Sequence, residues 1–272
     1  MSNTFSGRLT FAKLIYIWMR LMIYPTDSKF KNLRDKYVNK RCFIVALGPS
    51  LLLEDLDRLQ ENKEICFSVN AIYKLFSKTK WRPNFYFISD KNAYLGEAAN
   101  DIEKILDNGV ENVIYNEFYV PIRNNDAIPY KTNNINKILL SSKNPIFRKM
   151  ASGCKFSKNP NKYVYDGSSS IHSVIQIAHY LGFNEVFLLG ADCGSSTTLD
   201  HCESLGETGS GLYLNGEGSA MIKDYQSMLE DMRRKNISMK IYNATRGGYL
   251  DVFERVDLNQ VLNNEKNKSK NF

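Results

Sequence analysis

From about residue 41 onward, short apolar runs closed by small polar residues alternate with stretches of helical spacing. That order predicts a parallel sheet wound with crossover helices. Cys42–Ala46 (CFIVA) reads as the first strand, closed by Leu47-Gly48-Pro49-Ser50, with a helix over Leu51–Leu59. Ile65–Val69 ends at Asn70 and leads into a helical Ala71–Ser77; Phe85–Ile88 ends at Ser89-Asp90 before a helix near Asn92–Leu106; Asn112–Tyr115 is a fourth strand. Further on, Tyr163–Tyr165 and the turn Asp166-Gly167-Ser168-Ser169-Ser170 precede an apolar helix over Ile171–Leu181, stopped by Gly182. Glu185–Leu189 (EVFLL) is a buried strand ending at Gly190-Ala191-Asp192. After a Gly- and Ser-rich stretch, 194–218, come a helix near Ser219–Lys235, a strand at Met239–Tyr242, a Gly247-Gly248 turn and a closing helix over Val256–Leu262. The fold class is therefore α/β: a Rossmann-like, open, mostly parallel sheet with helices on both faces.

Two stretches break the pattern. Residues 118–162 are rich in Asn, Lys and Ser with no sustained period, and read as an inserted, irregular, lid-like region. Before the sheet, Thr10–Tyr24 is apolar apart from Lys13 and Arg20. As a helix of about fifteen residues it would reach only ~22 Å, short of a ~30 Å hydrocarbon core, so it is not expected to span a bilayer. Arg20 interrupts the apolar run and no small-residue cleavage site follows, which disfavours a signal peptide. The expected layout is a basic, apolar arm over 1–41, an α/β body over 42–263, and a flexible basic tail over 264–272.

The 272 residues, 43% hydrophobic, suffice for a substantial core, and their formal charge of +7 raises the question of nucleic acid. Counted by segment, residues 1–41 carry +7, residues 264–272 carry +2 and the body carries −2. The body is nearly neutral, so a nucleic-acid-binding face is not expected. An apolar helix beside clustered cations suits an anionic membrane surface; packing on the body or on a second subunit, as a homo-oligomer, is the alternative. Five cysteines without a C-x-x-C pair suggest free thiols and a cytoplasmic protein, peripheral on the inner membrane face if the arm binds lipid.

In open α/β sheets, ligands sit beyond the carboxyl ends of the strands. Those ends carry Gly48, Pro49, Ser50, Asn70, Ser89, Asp90, Gly167, Ser168, Ser169, Ser170 and Asp192, which are small or polar. Gly167–Ser170 opens a helix, so it is either a phosphate or base cradle or an ordinary serine N-cap. Neither G-x-x-x-x-G-K-[ST] nor G-x-G-x-x-G is present, which disfavours a P-loop NTPase and a typical NAD enzyme. Asp55-Leu56-Asp57 lies within a helical stretch and reads as solvated helix charge; Cys193, His201 and Cys202 lack zinc spacing; no metal site is expected.

Five segments together resemble one family: ALGPSL at 46–51, VNAIY at 69–73, FYFISD at 85–90, GSSSIH at 167–172 with AHYLGFNEVFLLGAD to 192, and IYNATRGGYLDVFERV at 241–256. They are similar to the hydroxymethylpterin diphosphokinase-like domain (formerly DUF115) of bacterial surface-polysaccharide loci, which in turn resembles bacterial CMP-sialic-acid sialyltransferases. That resemblance implies that Gly48, Pro49 and Ser50 approach ribose and phosphate. It also places Asn70 with Ser89 or Asp90 near phosphate and donor sugar, Gly167, Ser168 and Ser169 at the base, and Asp192 beside the nucleotide. It implies an inverting, metal-independent transfer in which a His accepts the acceptor's proton and Tyr hydroxyls steady the departing phosphate. Of the three histidines, His172 and His179 sit on an apolar helix, leaving His201 as the candidate base; Tyr213 is the candidate for the phosphate.

The expected activity is transfer of a CMP-activated keto-sugar acid, of sialic-acid, nonulosonate or Kdo type, to a surface glycan acceptor, with no cofactor beyond the donor. Two alternatives stand beside it: an ATP-dependent 6-hydroxymethylpterin pyrophosphokinase, which would want Mg²⁺ near Asp90 and Asp192, and a non-catalytic nucleotide-sugar-binding accessory protein.

Overall fold

The central strands are mostly apolar because both faces of the sheet are covered there. In the first, β1 (Arg41–Val45), Cys42 and Ile44 enter one core while Phe43 and Val45 enter another on the opposite face. The computed structural model describes residues 2–23, 28–89, 109–117, 127–194, 201–205 and 217–268. It continues through β2 (Cys66–Val69), β3 (Phe85–Ile88), β4 (Asn112–Asn116), β5 (Ile128–Tyr130), β6 (Thr132–Asn133), β7 (Val164–Tyr165), β8 (Glu185–Leu189), β9 (Lys240–Asn243) and β10 (Glu254–Arg255). The helices are α1 (Ser2–Ile23), α2 (Ser28–Leu33), α3 (Leu53–Glu61), α4 (Ile135–Leu140), α5 (Pro145–Lys149), α6 (Ser170–Tyr180), α7 (Glu217–Arg234) and α8 (Leu258–Lys268).

Eight strands form one sheet in the order β10-β9-β8-β1-β2-β3-β4-β5, every neighbouring pair parallel. The chain builds outward from β1 through β5 and then returns to the other side of β1 to lay down β8, β9 and β10. The order therefore reverses between β1 and β8, which pair over five residues from Arg41↔Glu185 to Val45↔Leu189. This is the α/β Rossmann-like architecture expected. Residues of α6 and α7 pack on one face (Val174, Ile175, Ala178, Tyr225, Met228), and residues of α3 and α8 on the other (Leu56, Leu59, Leu258, Leu262).

Several elements depart from the reading of the sequence. Within 118–162, residues 127–162 carry an edge strand of the main sheet, β5, a short β6, and two helices, α4 and α5, rather than an irregular stretch alone. Pro129 stands mid-strand in β5, a position tolerated at a sheet edge and one that masks a strand in sequence. After β2 the chain forms a 3₁₀ turn, Asn70–Leu75, not an α-helix. The closing helix runs to Lys268, and α1 begins eight residues before Thr10. The helix expected near Asn92–Leu106 lies outside the described residues.

Asp55 also departs from the sequence reading, because it is fully buried rather than solvated. Both its oxygens are held by Arg246 from the loop after β9, and it caps α3 by accepting from Leu52 N at 3.2 Å. Asp57 is the member of the pair left at the surface, where it accepts from the Thr79 hydroxyl at 2.6 Å.

Candidate functional site

The loops that follow β1, β8 and β9 meet where the strand order reverses. Gly48 N donates to Gly190 O at 2.8 Å, and a Cβ at Gly48 would sit 2.0 Å from Asp192 Oδ2 and 2.4 Å from Gly190 O. Only glycine lets the first turn lie this close to the end of β8. Asp192 is buried and accepts from the Ser50 hydroxyl at 2.9 Å and more loosely from Ser50 N at 3.4 Å. Burial pushes its carboxyl above the ordinary carboxylate range, while the Ser50 bonds and the charge of Arg255 pull part of that shift back. Its carbonyl receives Tyr249 N at 2.7 Å, and Gly248, at φ +74°, passes against its backbone.

The third loop is itself braced. Arg255 donates to the carbonyls of Thr245, Gly247, Gly248 and Leu250, and Asn243 Nδ2 donates to Leu250 O at 2.8 Å. Ala191 N in turn donates to Thr245 Oγ1 at 3.1 Å. The Thr-Arg-Gly-Gly stretch and Arg255 thus serve the site by holding the Gly190–Asp192 turn.

A second cluster forms at the amino end of α6. Ser169 is its N-cap, accepting from Ile171 N at 3.3 Å, and Ser168 donates through both N and Oγ to Asp224 Oδ2 of α7 at 2.7 Å. Gln176, fully buried, takes Tyr165 N and Ser157 N on its oxygen and donates to Tyr165 O and His172 O, which fixes the approach from β7. Asn70, in the left-handed region at φ +48°, accepts from Ser89 N at 3.0 Å and donates to Ser170 Oγ at 3.2 Å. Ser89 and Ser170 share a further hydroxyl bond. The strand-end residues of β2 and β3 therefore clasp the helix N-terminus.

Between these clusters lies a cavity of about 460 Å³. Gly48, Asn70, Ser168, Ser169, Ser170 and Asp192 from the sequence reading contribute to its wall, as does His201. A bond from Cys202 N to Leu47 O at 2.7 Å fixes His201 beside the first turn. Sequence reasoning missed Lys74, four residues beyond Asn70 in the same 3₁₀ segment, together with Met221 and Tyr225 of α7, which also line the wall. The position of Lys74 after a strand end was its only signal in sequence.

A second, polar compartment of about 320 Å³ adjoins the first and shares Asn70, Ser168, Ser169 and Ser170 with it. Ser89, Asn116, Gly167 and Ser173 line it, together with the ion pair Lys137–Asp166 at 2.9 Å. Pro49 and Ser50 stand outside both walls, Ser50 acting through Asp192. Asp90 and Tyr213 lie outside the described residues.

The other histidines sit elsewhere. His172 is fully buried behind the cavity wall, stacked on Tyr225 at 4.0 Å with Nδ1 3.0 Å from Ser169 O, and burial drives its pKa down to about 4. His179 packs edge-on against Phe156, and burial lowers its pKa too. All five cysteines are free and buried, and among the described residues no three His, Cys, Asp or Glu side chains converge as a metal site.

The fold is a doubly wound α/β sheet whose cavity opens at the reversal of strand order, the position ligands take in this architecture. The chain belongs to the 6-hydroxymethylpterin diphosphokinase MptE-like family, whose profile matches residues 20–198. None of the curated proteins matches it. Among solved structures it is similar to the MAf glycosyltransferase from Magnetospirillum magneticum AMB-1, with a TM-score of 0.52 and 17% identity over 85% of this chain and 37% of that one. It is also similar to the sialyltransferase CstII from Campylobacter jejuni, solved with cytidine-5'-monophosphate, with a TM-score of 0.42 and 15% identity over 80% of this chain and 85% of that one. The chain thus has a glycosyltransferase-like fold and spans well under half of the MAf chain.

Proposed function

We propose that the chain is a glycosyltransferase that moves a CMP-activated keto-sugar acid to a surface glycan acceptor. The observation that carries this reading is the pair of compartments joined at the amino end of α6. The larger, about 460 Å³, falls in the range of small-molecule sites and takes the nucleotide, with Lys74 as the cation for its phosphate. The smaller is lined by serine hydroxyls, two asparagine amides and the Lys137–Asp166 ion pair, a polar set that suits a hydroxyl-rich sugar. The amino end of α6, whose Ser168, Ser169 and Ser170 line both compartments, stands at the junction where phosphate meets sugar.

In this mechanism the acceptor hydroxyl oxygen attacks the anomeric carbon while the carbon–oxygen bond to phosphate breaks, its electron pair leaving on the CMP phosphate. His201 takes the hydroxyl proton. Lys74, the α6 terminus and Tyr213 bear the charge that develops on the leaving group, and no step calls on a metal. Asp192 orients the Gly48 turn and takes no part in the chemistry.

Family membership favours a second reading, ATP-dependent pyrophosphoryl transfer to a hydroxymethylpterin, with Asp90 and Asp192 as the acids for Mg²⁺. Calorimetric titration with CMP, CDP, UDP and ATP, each with and without Mg²⁺, separates the two. Metal-independent CMP binding is expected; Mg²⁺-dependent ATP binding with no CMP effect overturns the transferase reading in favour of the kinase. His201→Ala is expected to lower transfer by about 10²–10⁴-fold, as loss of a general base does.

A further inference from the structure

The arm is only half of a larger surface. Helix α1 packs on α4, and Thr10 Oγ1 meets Ser142 Oγ at 3.0 Å, joining two segments 132 residues apart in sequence. Neither carries an acid: residues 2–23 contain no Asp or Glu, and residues 134–165 hold seven Lys and Arg with no Asp or Glu. The near-neutral body therefore conceals a basic stretch, and the fold sets that stretch against the basic arm.

On this flank large apolar side chains point outward. Phe11 and Trp18 of α1, a helical i, i+7 pair, are exposed, as are Leu140 of α4, Ile146 of α5 and Met150 just after it. Exposed Lys143, Arg148 and Lys149 alternate with the apolar side chains of the α4–α5 segment, and α1 adds exposed Lys13 on another side of its helix. We infer that α1 and the α4–α5 hairpin together form one docking surface for an anionic lipid bilayer.

Charge decides the occupant. A two-fold contact between copies would set Lys143, Arg148 and Lys149 of this patch against the same cations of the other copy. An anionic headgroup layer meets every cation favourably, and aromatic and aliphatic side chains between cations are what an interfacial element buries. No described helix is long and apolar enough to cross a membrane, so α1 lies along the interface. The surface also borders the site: Lys137 of α4 lines the polar compartment, and Leu140, three residues on, is exposed. This inference stands on the surface alone and does not depend on the transferase reading.

The chain carries its own probe. It has two tryptophans, Trp18 at 59% exposure and Trp81 at 1%, so quenching by brominated lipid reports on Trp18. The full chain is titrated with phosphatidylcholine vesicles and with vesicles that also contain phosphatidylglycerol. Quenching and a blue shift are expected with the second and not the first, weakening as salt is raised. The triple variant Lys143→Gln, Arg148→Gln, Lys149→Gln is expected to partition about a hundredfold more weakly, at about fivefold per cation. Those three side chains are exposed, so its melting temperature should match the parent's. Equal quenching by both vesicle types overturns the proposal. So does wild-type partitioning of the triple variant, which would return the surface to the arm alone. A lipid-independent dimer that shields Trp18 would make the occupant a second copy.

Discussion

The switch point between β1 and β8 and the flank made by α1, α4 and α5 are both assembled from segments far apart in sequence, but they are held in opposite ways. At the switch point, close backbone approach at Gly48, the buried Asp192 carboxylate and the Arg255 fork leave each group one position. On the flank, apolar and cationic side chains of α4–α5 face outward, and the Thr10–Ser142 hydroxyl pair links them to α1. The candidate site is thereby tightly determined, whereas the flank proposed to meet lipid needs only composition and placement.

Substitutions can break or sharpen this contrast. Gly48→Ala should have the largest effect, because its Cβ would meet Asp192 and the Gly190 carbonyl, which is backbone and cannot swing away. A loss of about 4 kcal/mol is expected by chemical denaturation, the upper end for overpacking. A fully stable Gly48→Ala protein would show that the turn can move and that the switch point is not rigid.

The buried imidazole behind the cavity comes next. His172 is neutral in the folded state because its pKa falls from 6.5 to about 4, whereas the unfolded chain takes up a proton below pH 6.5. The unfolded state binds more protons between those values, so stability falls as pH drops through that window. At about 1.4 kcal/mol per unit, the native chain should lose roughly 3 kcal/mol relative to His172→Phe, which keeps the stack on Tyr225. Parallel stability-versus-pH curves would remove His172 from this role. The smallest effect belongs to the flank: Ile146→Ser, at a side chain 68% exposed, should change stability by no more than about 0.5 kcal/mol. A larger loss by thermal melting would mean that the flank is packed rather than presented.

Much of the sheet and part of the site are legible in the amino-acid sequence. Phe85–Ile88 and Glu185–Leu189 form strands with those very bounds, because a doubly covered parallel strand is an unbroken apolar run between polar stops. Gly48, Asn70, Ser168–Ser170 and Asp192 stand out by their positions at strand ends, and they meet because parallel strands put all their carboxyl ends on one edge. Strand β5 is hidden by its three-residue length and Pro129, and β10 by having only Glu254 and Arg255. Asp55 could not be read correctly, since helical spacing gives the face of a charge but not the arrival of Arg246 from 191 residues away.

The pattern of apolar runs and small polar stops thus determined the architecture and which edge holds the cavity, since those follow from local periodicity and from the geometry shared by all parallel strands. Pairings between distant segments were left to the tertiary structure. It decided that Gly48 must yield space to Asp192, that Lys74 and Tyr225 line the cavity, and that a basic stretch hidden in the charge count of the body lies beside the basic arm. Such contacts depend on how the elements pack, which no local pattern encodes.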